Sequence, residues 1–255
     1  MKLKHTNIVS NTEIAPDIFS MVVHAPEISA MAHAGQFAMI YMDKGELLLP
    51  RPISICDTEG ENVRFVYQVV GAGTKVMAKM QAGTNVKMLA PLGKGFFTAS
   101  NARTSLKNVA IVGGGIGTPP LLLLAKTLKA QGATVDAYLG FRQHPILESE
   151  FEAVADSVRI ATEVGNTGHR GNILEVLQAL HTSYDEILAC GPRPMLNALA
   201  DYAHAKNIPC QISTEERMAC GLGTCVGCVL KVQGSNVRIC TEGPVFYSDE
   251  VTKHE

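Results

Sequence analysis

Four of the seven cysteines fall within one short stretch, Cys220, Cys225, Cys228 and Cys240, spaced C-x4-C-x2-C-x11-C. Thiolate is a soft ligand, and this is the plant-type [2Fe-2S] spacing, in which three ligands ride on one tight loop and a fourth arrives from elsewhere. Gly221, Gly223 and Gly227 separate the ligands. Lacking a Cβ, they let the backbone curl closely round an anionic guest and turn N–H groups towards its sulfurs. Two apolar runs, Val229 to Gln233 and Val237 to Cys240, read as a hairpin turning at Gly234-Ser235-Asn236, which would lay Cys240 beside Cys228. Structural zinc is the competing reading, although zinc sites usually show two C-x2-C knuckles and only one is present. A disulfide framework fits less well, because the count is odd and the leading MKLKHTNIVSNTEIA lacks the apolar core of a signal peptide. A reducing, cytoplasmic setting is expected. Cys56 and Cys210 read as small buried hydrophobes.

Other stretches are suited to holding phosphates or rings. Arg51-Pro52-Ile53-Ser54 opens a candidate strand, where a guanidinium can hold a phosphate and a nearby hydroxyl can face a ring; a plain surface arginine is the alternative. Gly71-Ala72-Gly73-Thr74 precedes a helical pattern, Lys75–Gln81, with Thr74 the expected N-cap and free N–H groups facing an anion. Gly113-Gly114-Gly115-Ile116-Gly117-Thr118-Pro119-Pro120 follows a short buried-type strand and would let a pyrophosphate approach a helix N-terminus, with Thr118 the expected cap. Thr118 breaks the G-x-G-x-x-G pattern, so a plain tight turn remains the alternative. A second strand-to-helix turn, Cys190-Gly191-Pro192-Arg193-Pro194-Met195, lies like the first at a carboxyl end of the sheet, where ligands of open α/β sheets bind.

The elements that must position these residues follow from hydrophobic period and turn signals. Residues 1–98 carry short β-rich runs, Lys4–Ser10, Ile18–His24, Gln36–Met42, Pro52–Cys56, Val63–Val70 and Asn85–Leu89, as in an antiparallel barrel. Residues 99–210 alternate strands (Asn108–Val112, Thr134–Gly140, Val158–Thr162, Glu186–Cys190) with helices (after Pro120, Ile146–Asp156, Asn172–Ala179), the pattern of a parallel sheet covered by helices. Residues 211–255 form a small cysteine module, so the fold class is multidomain. At 255 residues and 46% hydrophobic, the chain can pack such cores. A net charge of −2 gives no footprint for nucleic acid, and no apolar run approaches the length of a membrane span, so a soluble protein is expected.

Arg51-Pro-x-Ser54, Gly73-Thr74, GGGIGTPP and CGPRPM, in that order, resemble the ferredoxin–NADP reductase superfamily, a flavin-binding barrel followed by a nicotinamide-binding α/β domain. STEERMACGLGTCVGC followed by ICTEGPVF narrows the resemblance, over essentially the whole chain, to the electron-transfer subunits of B-type, NAD-dependent dihydroorotate dehydrogenase. That resemblance implies FAD, one [2Fe-2S] cluster and NAD as acceptor. It also implies electrons arriving from the FMN of a separate catalytic subunit, in a heterotetramer with two copies of each chain, within UMP synthesis. By similarity, Arg51 holds the FAD pyrophosphate and Pro52, Ile53 and Ser54 approach the flavin. Val66, Tyr67 and Gln68 line it, and Gly73 with Thr74 takes a phosphate. Gly113, Gly114, Gly115, Gly117, Cys190, Gly191 and Pro192 hold the nicotinamide nucleotide. No pocket with a general base for an organic substrate is apparent, so diaphorase-type activity is expected of the chain alone. Flavin/iron–sulfur subunits of a sulfide dehydrogenase, a hydrogenase or an NADH-dependent ferredoxin oxidoreductase are related alternatives. A redox- or zinc-sensing module is the alternative of another class.

Overall fold

The computed structural model describes residues 1–42, 47–96, 106–180 and 182–252. In chain order the first strands are β1 (Lys2–Ala15), β2 (Ile18–His24), β3 (Phe37–Tyr41), β4 (Arg51–Glu59), β5 (Asn62–Gln68) and β6 (Asn85–Leu92). Then come β7 (Asn108–Gly114), β8 (Thr134–Phe141), β9 (Ser157–Thr162), β10 (His169–Arg170), β11 (Glu186–Cys190) and β12 (Cys210–Ser213). The last are β13 (Val229–Val232), β14 (Ser235–Arg238) and β15 (Val245–Tyr247). The helices are α1 (Pro26–Ser29), α2 (Ala72–Met77), α3 (Pro120–Ala130), α4 (Glu148–Glu152), α5 (Ile173–Ala179), α6 (Arg193–Lys206) and α7 (Ile239–Glu242).

The chain divides into two compact units, one made of Met1–Gly95, Glu215–Leu230 and Asn236–Pro244, the other of Phe96–Thr214, Lys231–Ser235 and Val245–Glu255. The segment 211–255 is thus shared between them, and the cysteine loop belongs with the first. In that unit β1-β2-β5-β4-β3-β6 close into an antiparallel barrel. The β2–β5 pair runs without a break from Ile18↔Gln68 to His24↔Asn62. Alternation of apolar and polar residues turns Met21, Ile55, Val63, Phe65 and Met88 inward, where each is fully buried.

The second unit is a sheet of order β10-β9-β8-β7-β11-β12-β15. Its strands are parallel except β15, which runs antiparallel to β12. The expected parallel core is present, with an antiparallel edge that no periodicity announced. In α3, Leu121, Leu122, Leu124, Ala125 and Leu128 are fully buried, which explains why its sequence is apolar nearly all round. Asn172 caps α5 by accepting from Glu175 N–H at 3.1 Å. The helix expected over Ile146–Asp156 contracts to Glu148–Glu152, because Leu147 sits at φ 61°, a left-handed conformation that no helix can run through. No helix among the described residues is long and apolar enough to cross a membrane.

Glu186 opens β11 inside this unit, only 4% exposed, and its Oε1 accepts from Nε2 of the fully buried Gln211 at 2.6 Å. Burial raises its pKa above the ordinary 4.5, against the opposing Gln211 hydrogen bond. A carboxyl that holds its proton more tightly when folded contributes stability below about pH 4.5 and loses it as pH climbs through the folded value. Glu186→Gln, neutral at every pH, is therefore expected to melt higher than the wild type at pH 7 and level with it at pH 4. Circular-dichroism melts at the two pH values check this; equal differences at both would count against it.

Candidate metal centre and nucleotide sites

The loop from Cys220 to Cys228 owes its path to glycine. Gly221 and Gly223 take φ values of 70° and 78°, where side chains are disfavoured. A Cβ on Gly221 would also fall 2.6 Å from Cγ of Met39. The curled backbone aims its amides at sulfur: Leu222 N–H and Cys225 N–H donate to Cys220 Sγ at 3.3 and 3.5 Å, and Gly223 N–H donates to Cys240 Sγ at 3.1 Å. The expected hairpin forms as β13 and β14, but it turns on Gln233 and Gly234, at φ 49° and 76°, one residue tighter than the three-residue turn read from the sequence. Cys240 consequently leaves the strand and sits on the short helix α7. Ile239 N–H donates to the Cys228 carbonyl at 3.0 Å, so the two cysteines are still brought together.

The four thiols lie as two interacting pairs, Cys220 beside Cys225 and Cys228 beside Cys240. Among the described residues no three His, Cys, Asp or Glu side chains converge on a single ion. A two-iron cluster takes its thiolates two to an iron, so paired sulfurs ringed by amide donors fit [2Fe-2S] better than they fit one zinc ion. The pairs differ in environment. Cys228 and Cys240 are 2% and 1% exposed, whereas Cys225 is open to solvent and Cys220 half-buried. Burial opposes ionisation of Cys220, but the Cys225 and Leu222 amides and the Cys225 thiol outweigh it and bring that thiol down to about 6. Burial and the Cys228 thiol push Cys240 up to about 12. Cys220 is therefore a thiolate at neutral pH, the form that binds metal.

In the barrel, Arg51, Pro52, Ile53 and Ser54 begin β4, and the Arg51 side chain lies directly over Gly73: a Cβ there would come within 2.0 Å of Nε. Two separate sequence signals thus meet at one place, a guanidinium beside the first turn of α2. Thr74 differs from expectation, since Gly71 is the N-cap and Thr74 stands three residues inside the helix. Its hydroxyl reaches back to accept from Val70 and Gly71 N–H at 2.9 and 3.1 Å. Val66 and Tyr67 are 3% and 1% exposed, and the Tyr67 hydroxyl donates to Asn11 Oδ1 at 3.1 Å, so their side chains are committed to the core while Gln68 faces outward. Asn11, which sequence reading passed over, also donates to the Met77 and Met80 carbonyls at 2.9 Å and ties the end of α2 to β1.

The cysteine loop and this site lie on neighbouring strands. Gly221 packs on Met39 of β3, and Met39 pairs with Pro52 across the β3–β4 ladder. At the far end, a Cβ on Gly93 would meet Gly243 O at 2.6 Å and Phe37 Cε1 at 3.0 Å, and Phe37 pairs with Ser54.

In the other unit the two strand-to-helix turns meet because β7 and β11 are neighbours, with Cys190 opposite Gly113. A Cβ on Gly114 would strike Met195 Sδ at 2.6 Å and Pro192 Cδ at 2.7 Å; one on Gly117 would strike Gly191 N at 2.6 Å. Gly115, at φ 52°, has open space where its Cβ would point, at the carboxyl end of a parallel sheet. That shallow cradle, floored by backbone, fits a dinucleotide phosphate. Thr118 is not the cap that was expected: the chain makes a 3-10 turn over Gly115–Gly117, Pro119 caps α3, and the buried Thr118 Oγ1 has no hydrogen-bond partner among the described residues. At the neighbouring strand ends Glu163 N–H donates to the Phe141 carbonyl and Val164 N–H to the Arg142 carbonyl, at 3.1 and 2.9 Å, so these backbone stretches run side by side.

Comparison with known proteins agrees with this geometry. The iron-sulfur cluster binding domain of dihydroorotate dehydrogenase B matches residues 215–252. The electron transfer subunit of dihydroorotate dehydrogenase B (NAD(+)) from Clostridium perfringens (strain 13 / Type A) is 40% identical over 246 residues, 96% of each chain. The namesake from Caldanaerobacter subterraneus subsp. tengcongensis is 40% identical over 248 residues, again 96% of each. Among solved structures, a chain of the NADH-dependent reduced ferredoxin-NADP oxidoreductase superposes with a TM-score of 0.88 at 28% identity, covering 97% of this chain and 90% of that one. A ferredoxin NADP+ reductase from Neisseria gonorrhoeae shares the fold, with a TM-score of 0.65 at 18% identity over 80% of this chain and 92% of its own. With whole-length identity of this order joined to the cysteine pairs, the chain belongs to the family of dihydroorotate dehydrogenase B (NAD(+)) electron transfer subunits.

Proposed function

We propose that this chain takes electrons from the FMN of a separate dihydroorotate-oxidising subunit and delivers them to NAD+ through a [2Fe-2S] cluster and FAD, in the cytoplasmic synthesis of UMP. The cluster passes one electron at a time and NAD+ accepts two, which assigns the intermediate place to FAD, able to hold either number. The observation that carries the reading is the pairing of two strands: the cysteine loop rests on β3, whose partner β4 begins with Arg51-Pro52-Ile53-Ser54.

Cys220, Cys225, Cys228 and Cys240 hold the cluster. Arg51 and the first turn of α2, at Gly73 and Thr74, take the FAD pyrophosphate, while Pro52, Ile53 and Ser54 and the backbone of Val66, Tyr67 and Gln68 border the flavin. Gly113, Gly114, Gly115 and Gly117 with Cys190, Gly191 and Pro192 receive the nicotinamide nucleotide. Arg142, just past the end of β8, could meet a 2′-phosphate, but the relatives' names specify NAD(+) and support NAD+ over NADP+. Functionally the chain divides into an FAD segment (1–98), an NAD segment (99–210) and a cluster segment (211–255). The partner covers the exposed face of the cysteine loop, where Leu222 is 47% and Val226 61% exposed. Two copies of each subunit form the complex, a closed twofold arrangement.

Anaerobically purified protein is expected to contain two iron and two acid-labile sulfide per chain. Cys225→Ala should lose the cluster absorption and Cys56→Ala should keep it; stoichiometric zinc without sulfide would overturn the ligand assignment. Arg51→Ala should weaken FAD retention by about 1.5–3 kcal/mol, the worth of a charge-assisted hydrogen bond. Chromatography of released flavin measures it, and recovery of FMN alone would reject the pyrophosphate site. Co-expression with the FMN subunit should yield dihydroorotate-dependent NAD+ reduction that neither chain shows alone and that Cys225→Ala abolishes. Two proteins that neither co-purify nor couple would move the assignment to a related flavin/iron–sulfur complex.

A further inference from the structure

We propose that Arg238 is a positioning residue for the cluster: it anchors Gly223 through the carbonyl on the far side of its Cα, which keeps the preceding amide N–H aimed at the Cys240 sulfur, and thereby sets the potential at which the cluster accepts an electron. The inference rests on the reading of the four cysteines as [2Fe-2S] ligands and goes beyond it to a residue that touches none of them through its side chain.

Arg238 ends β14, immediately before the helix that carries Cys240. Its Nη1 donates to the Gly223 carbonyl at 3.3 Å. The guanidinium is itself held, since Nε donates to Glu242 Oε2 at 3.1 Å and the Arg238 backbone N–H donates to the same oxygen at 2.7 Å. One side chain therefore joins the cysteine loop to the element bearing the fourth ligand. Gly223 needs such a grip. At φ 78° it has no side chain to restrain the two peptides it joins, and with Thr241 atoms 3.1 and 3.3 Å from where a Cβ would stand, an added one would be strained and crowded. Its N–H nevertheless makes the shortest of the three amide-to-sulfur hydrogen bonds, 3.1 Å, and makes it to a cysteine that is 1% exposed. Water offers that sulfur no replacement donor. Amide donors stabilise the extra negative charge of a reduced cluster and raise its potential. Release of Gly223 frees its N–H to turn away and leaves the reduced state less stabilised.

Two effects of Arg238 can be separated by sign. Its positive charge alone would raise the potential, and removing the opposing charge of Glu242 would raise it further. Positioning predicts the reverse for Glu242, because a guanidinium without its anchor no longer holds Gly223. Redox titration of the full chain, purified anaerobically and followed by electron paramagnetic resonance, is the test. Arg238→Gln and Glu242→Gln should both lower the midpoint, by about tenfold in the reduction equilibrium for Arg238→Gln, or ~59 mV for one electron. Arg238→Lys, which keeps the charge but not the fork, should fall with Arg238→Gln rather than with the wild type. Iron and sulfide are counted in every sample. An unchanged midpoint in Arg238→Gln with a full cluster, or a raised one in Glu242→Gln, would overturn the proposal. Should Arg238→Gln fail to assemble a cluster, Arg238→Lys and Glu242→Gln decide by the same criteria. Wild-type protein lacking two iron and two sulfide would instead strike down the ligand reading, and this proposal with it.

Discussion

A close approach of loop backbone to a buried side chain governs the first unit. Gly221 lies so near Met39 that the space of a single methyl does not exist between them. Only a residue without Cβ admits the cysteine loop to β3, and a second tight contact, of Gly93 with Gly243, pins the returning chain beside Phe37. The first anchor is on β3 and the second just past β6, its ladder partner in the closed barrel, and β3 is also hydrogen-bonded to β4. The loop is thus referenced to the barrel at two points, which restrains it against rocking. Electron transfer between bound groups depends steeply on their separation, so a loop held at both ends serves the chemistry better than one tethered at either.

The second unit relies on the same principle in another setting. β7 and β11 are far apart in sequence yet neighbours in the sheet, and their in-register pairing brings the two turns together at Gly117 and Gly191. Side chains at either position would push the turns apart and open the floor of the cradle. Parallel pairing delivers both turns to the carboxyl edge without further instruction, since every strand of the parallel core points the same way.

Much of this was legible in the sequence. Ile18–His24 and Glu186–Cys190 stand where the apolar period placed them, the barrel and parallel core follow from period two and from alternating strands and helices, and the cysteine spacing implied a loop and a distant fourth ligand. The misreadings have local causes. Thr74 and Thr118 have the right chemistry for caps, but Gly71 and a 3-10 turn place the helix starts elsewhere. Cys240 was read as strand because the run before it is apolar, whereas a tighter turn at Gln233-Gly234 shifts the register and leaves it on a helical turn. β12 and β15 are four and three residues long, too short to show a period; they exist because the sheet offers them an edge. The contacts of Arg238 and Asn11 were invisible, since each reaches backbone groups distant in the chain that sequence does not display.

The barrel unit is discontinuous in the chain, completed by Glu215–Leu230 and Asn236–Pro244 after the whole sheet unit has intervened. During synthesis, the six barrel strands emerge first and can close, with Arg51 already over Gly73, while the surface of β3 that receives the cysteine loop stays bare. In the finished protein Met39 is fully buried. Maturation therefore has a built-in order: a flavin pocket can be furnished once β6 has been made, but iron must wait until Cys240 has been added.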